Sequence, residues 1–106
     1  MEGAQMNRLP IKDPEESVVI EFDFSAEAAS VSSPLVVASI EYSGPDDADP
    51  APMAVLSGVP QVLGASVLQR VQGGIAGTDY GLRCLAITEA GDALVASAVL
   101  PVREKP

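Results

Sequence analysis

A chain of 106 residues has room for one hydrophobic core and not two. Hydrophobic residues make up 47% of it, yet only Phe22, Phe24, Tyr42 and Tyr80 are aromatic, so the interior must be built from aliphatic side chains. Fifteen acidic residues against six basic ones, a net charge of −9, disfavour nucleic-acid phosphates and anionic membranes as partners, while the absence of histidine and a lone cysteine remove the usual general base and any intrachain disulfide.

Residues 1–16 mix small, polar and charged side chains and end in "LPIKDPEES". Pro10 and Pro14 lack amide donors and hold the residues before them out of helix, so an extended N-terminal arm is expected. The opening "MEGAQMNRLP" has no apolar core of the secretory kind, and no apolar run is long enough to cross a bilayer as a helix. A soluble chain made in the cytoplasm is the expectation.

"SVVIEFDF" (Ser17 to Phe24) alternates, with Val18, Ile20, Phe22 and Phe24 on one face and Glu21 and Asp23 on the other. That is the period of a half-buried strand. "SAEAASVSS" breaks the pattern, and Ala26 to Ser30 admits either a helical turn or a loop. "LVVASIEY" (Leu35 to Tyr42) is a second strand, with Val36, Ala38, Ile40 and Tyr42 facing inward. "SGPDDADPAP" (Ser43 to Pro52) carries three aspartates and three prolines and reads as an exposed loop. "MAVLSG" and "SVLQRV" suggest two short strands, with "VPQVLG" between them.

The last third is the most regular. In "TDYGLRCLAIT" (Thr78 to Thr88) Tyr80, Leu82, Cys84 and Ala86 share one face, and Gly81, Arg83, Leu85 and Ile87 the other. "EAGD" supplies a tight turn around Gly91, and "ALVASAVLPV" (Ala93 to Val102) returns antiparallel. About six short strands with no long amphipathic helix predict an all-β chain, a β-sandwich over residues 17–103 preceded by the arm of residues 1–16.

Five features invite a functional reading. "GGIAGTDY" lacks the Lys-Ser/Thr and the following helix that a phosphate cradle requires, so Gly73, Gly74 and Gly77 read as a connection whose positive φ angles favour glycine. Cys84 has no histidine or helix N-terminus to activate it and alternates with apolar neighbours, which predicts a buried thiol. "DDADP" (Asp46, Asp47, Asp49, Pro50) offers oxygen ligands but not the spacing of a calcium loop, and reads as a solvated acidic loop facing a basic partner. Glu21 and Asp23 lie on the outer face of a strand, where nothing raises the pKa of either. Tyr80, at the start of its strand, fits a tyrosine corner, its ring in the core and its hydroxyl returned to backbone.

Lys12-Asp13-Pro14, Asp23-Phe24-Ser25, Gly73-Gly74, Gly77-Thr78-Asp79-Tyr80 and Gly91 together resemble the outline of small tailed-bacteriophage virion proteins, the fibre–tail adaptor or head–tail-region family. The resemblance covers most of residues 11–102. The middle departs from it, since no tryptophan follows the first strand. The resemblance implies an immunoglobulin-like sandwich, no catalysis, no cofactor and assembly in multiple copies on a virion. It carries over no functional residues, because the shared positions, Tyr80, Gly73, Gly74, Gly77 and Gly91, are structural. The expected function is therefore docking of a fibre or appendage to the tail or head. Capsid decoration and an accessory glycan-binding module are the alternatives. Partners would be other virion proteins, met through Leu9, Pro10, Ile11 and Lys12 of the arm and through Asp46, Asp47 and Asp49 of the acidic loop.

Overall fold

The computed structural model describes residues 6–31, 34–45 and 49–106. Among the described residues, seven strands form two sheets. They are β1 (Met6–Arg8), β2 (Ser17–Asp23), β3 (Leu35–Pro45), β4 (Leu56–Leu63), β5 (Ser66–Gln72), β6 (Thr78–Thr88) and β7 (Ala93–Val102), with a short helix α1 (Ser25–Val31) and a 3-10 turn at Pro52–Val55. One sheet has the order β1-β7-β6-β3 and the other β2-β5-β4. All pairings are antiparallel except β1 with β7, which is parallel. Ile20, Phe22, Val67 and Val71 from one sheet meet Leu35, Ile40, Leu82, Cys84 and Leu100 from the other in a single buried cluster. The fold is an all-β sandwich with an aliphatic interior.

The strongest alternation gives the most regular strands. In β6, Tyr80, Leu82, Cys84 and Ala86 are wholly buried while Arg83 is exposed. Thr88 and Asp92 close the turn to β7: the Thr88 N–H donates to the Asp92 carbonyl at 2.9 Å and the Asp92 N–H to Thr88 Oγ1 at 3.0 Å. Gly91 takes φ 96° there.

The structure settles one reading that the sequence left open and differs from the sequence reading at three places. Residues 25–31 form a helix, whose first turn is set by the Ala28 N–H donating to the Phe24 carbonyl. Val36 does not face inward. A register shift between Leu35 and Val37 makes Val36 the extra residue of a bulge, which leaves Val36 and Val37 exposed and buries Leu35 instead. Ser43, Gly44 and Pro45 continue β3 rather than opening a loop. "MAV" belongs to the 3-10 turn, and most of "VPQVLG" lies inside β4. The proline is tolerated because β4 is an edge strand, where no ladder bond requires its missing donor. Gly58, Val59 and Pro60 bulge opposite the single residue Gln69, whose buried Nε2 donates to the carbonyls of Ser57 at 3.1 Å and Gly58 at 3.3 Å.

Candidate functional site at the N-terminal segment and the tyrosine corner

The expected arm is described from residue 6 onward, and it lies on the chain's own last strand. Met6, Asn7 and Arg8 pair in parallel with Ser97, Ala98 and Val99. The Leu9 N–H donates to the Val99 carbonyl at 2.8 Å. Lys12 bridges to Val102: its N–H donates to the Pro101 carbonyl at 2.9 Å, and its carbonyl accepts from the Arg103 N–H at 2.9 Å. Pairing of this kind satisfies backbone groups on the edge of β7 that would otherwise stand open.

Lys12 is turned inward, with 2% of its surface exposed. Its ammonium donates to the Gly73 carbonyl at 2.6 Å and the Asp13 carbonyl at 2.9 Å. Burial lowers its pKa, and Glu16 and Asp13 oppose that shift. A lysine held in this way clasps the N-terminal segment to the glycine connection and is not free for a partner. Leu9 is half-buried, while Pro10 and Ile11 are exposed.

Gly73, Gly74 and Gly77 have φ of 60°, 97° and 88°. No helix follows: Thr78 begins β6. The connection folds back over Tyr80, whose ring is fully buried and whose hydroxyl accepts from the Ile75 N–H at 2.8 Å. The same hydroxyl donates to Asp49 Oδ2 at 2.7 Å, and Asp49 Oδ1 accepts from the Ala51 N–H at 2.8 Å. Asp49 is thereby drawn from the acidic loop onto the corner. Asp46 and Asp47 lie outside the described residues. Burial, with Asp49 beside it, pushes the Tyr80 pKa up to about 12. Tyr42 meets the ring edge-on, with centroids 6.2 Å apart.

A charged frame borders the corner. Arg103 reaches Asp79 at 2.9 Å and also donates to the Thr78 carbonyl at 3.2 Å, while Arg8 approaches Asp79 at 3.6 Å. Lys105 pairs with Glu16 at 3.1 Å, and its N–H donates to Asp13 Oδ2 at 2.8 Å. Backbone N–H donors hold the carboxyls of Asp13 and Glu16 below the usual carboxylate range. These contacts join the N-terminal segment, the β6 start and the residues after β7. Sequence reasoning missed them, because single charges far apart in the chain carry no local pattern.

Cys84 is fully buried, and burial pushes its thiol up to about 11. At neutral pH it is protonated and out of reach of a substrate. Glu21 and Asp23 face solvent, and the Ser25 N–H holds Asp23 below its usual value, the opposite of what a general acid requires. Among the described residues no cluster of three or more acidic or cysteine side chains is arranged to hold a metal ion. Phe22, Phe24 and Tyr80 are buried and Tyr42 is half-buried, so the rings form no exposed stacking platform.

No family model matches the chain. No curated protein matches it either.

Proposed function

We propose that this chain is a non-enzymatic structural protein of a tailed-bacteriophage virion, an immunoglobulin-like module that is present in multiple copies and docks a fibre or appendage to the tail or head. The observation that carries the reading is where the motif residues sit. Gly73, Gly74, Gly77 and Tyr80, which bear the resemblance to virion proteins, all meet in one corner that fastens the connection to the core. Shared positions spent on building the fold fit a protein whose job is assembly. The sheet orders β1-β7-β6-β3 and β2-β5-β4, with the first strand laid in parallel on the last, support the immunoglobulin-like assignment. A net charge of −9 favours a basic partner.

Cryo-electron microscopy of purified particles from the phage that encodes the chain tests this reading. The expected result is repeated density for the sandwich at the neck, tail or fibre base. Density on capsomers would assign it to capsid decoration. Absence of the chain from purified particles overturns the reading.

A further inference from the structure

The two sheets have four edges, and they are not alike. Edge strands left open recruit other chains, so folded proteins blunt them with short length, bulges, proline or charge. β1 is three residues long and runs into Pro10. β3 is broken by register shifts near both ends. β4 contains Pro60 and the three-residue bulge opposite Gln69. β2 has neither a bulge nor a proline, and its charged residues, Glu21 and Asp23, are both acidic: seven residues pair with β5 in unbroken register from Ser17–Gln72 to Asp23–Ser66.

The Phe24 N–H donates to the Ala65 carbonyl, in step with that register. Antiparallel ladders alternate, so Phe22, Ile20 and Val18 also turn their backbone groups toward β5. The N–H and C=O groups of Val19 and Glu21 therefore point away from the sheet, along an edge that no described strand covers. Beside that edge lies a groove of about 260 Å³, apolar along Leu9, Ile11, Val18, Val19, Ile20 and Leu100 and bordered by the charged Lys12, Glu16 and Lys105. It is small for a drug-sized ligand, whose pockets span roughly 300–1,000 Å³. Val19 is 51% exposed and Ile11 equally so.

From this asymmetry we propose that β2 is a strand-acceptor edge. The occupant is an extended segment of another protein, with aliphatic residues at alternate positions and lysine or arginine between them. The inference rests on the assembly reading above and names the surface through which assembly proceeds. A strand laid against β2 presents one side chain in two to the groove, where Val18, Ile20 and Leu100 ask for aliphatics. The intervening side chains stand beside Glu21 and Asp23, both exposed. Of the nearby cations, Lys105 and the buried Lys12 are held by other groups, and Arg70 hydrogen-bonds the Ser17 oxygens at the start of β2. An acidic segment would meet like charge at Glu21 and Asp23, and a second copy of this chain would bring its own −9. Backbone bonds supply affinity in this mode, and the alternate side chains supply selectivity.

The test uses the full chain and a capped octapeptide of alternating valine and lysine, with a valine–glutamate octapeptide as comparator. The lysine peptide is expected to bind and to protect the Val19 and Glu21 amides from hydrogen exchange, while the glutamate peptide does not. Val19→Pro removes one outward donor without touching the ladder to β5, so it is expected to weaken binding about tenfold or more at unchanged thermal stability. Glu21→Lys is a second variant that leaves the backbone intact and is expected to weaken the lysine peptide selectively. Equal binding of both peptides, protection confined to β3 or β4, or full binding by both variants overturns the proposal. So does dimerisation of the free chain that Val19→Pro abolishes, since the edge would then belong to a second copy. The assay needs no particle. Its failure leaves the virion assignment standing, and absence of the chain from particles leaves the edge assignment standing.

Discussion

At Gly74 a single added methyl group meets two walls. A Cβ there would lie 3.0 Å from Val102 Cγ2 and 3.3 Å from Tyr80 Cε1, at a φ of 97°. Gly77 has a similar φ of 88° but open space around it. Alanine at Gly77 is expected to cost about 1–2 kcal/mol for left-handed backbone alone, and alanine at Gly74 roughly 1–3 kcal/mol more for crowding. Urea denaturation of the two variants measures the difference, and equal losses would refute the crowding argument. Residue-level features of this corner were partly legible beforehand. The buried phase of Tyr80 and Cys84 follows from alternation with Leu82 and Ala86. Asp49 as the acceptor for the Tyr80 hydroxyl, and Lys12 as a buried clasp, were not. Both depend on where distant segments fall after folding, and a charged residue in a polar stretch reads as solvated.

β4 shows why some elements escaped the sequence. Gly58 and Pro60 interrupt its pattern, and both residues ordinarily mark the end of a strand. The strand persists because Gln69, on the inward phase of β5, supplies from its side chain the donor that the bulge cannot find in the ladder. Its Oε1 has no partner among the described residues. Gln69→Met keeps the length of the side chain but leaves the Ser57 and Gly58 carbonyls without that donor. A loss of about 1–3 kcal/mol is expected. Hydrogen exchange should rise most in Leu56–Leu63, and uniform exchange across both sheets would count against a local role. By contrast β6 and β7 were legible to the residue, because two apolar runs of about equal length flank a tight glycine turn that fixes their register.

For the molecule as a whole, two buried neutral acids, Cys84 and Tyr80, contribute a loss of stability in alkali. Cys84 rises from 9.0 to about 11 and Tyr80 from 10.0 to about 12. A folded-state pKa above the unfolded one gives stability that is complete below the unfolded value and drains away as pH climbs to the folded one. Stability is therefore expected to fall from about pH 9 through pH 12 in the wild type. Tyr80→Phe should lower stability at neutral pH by about 1–3 kcal/mol through its lost hydrogen bonds, yet flatten the decline above pH 10. Cys84→Ala should flatten the portion that begins near pH 9. Denaturant midpoints across this range check the slopes, and unchanged slopes in both variants would show that other groups control them. No local pattern signals how the sheets close, since parallel pairing of Met6–Arg8 with Ser97–Val99 joins stretches from opposite ends of the described chain. That closure dictates an order of events in the cell. A ribosome delivers Met6–Lys12 before β7 and Gly73, so this stretch must wait, uncovered, until the later segments that seat it have been made.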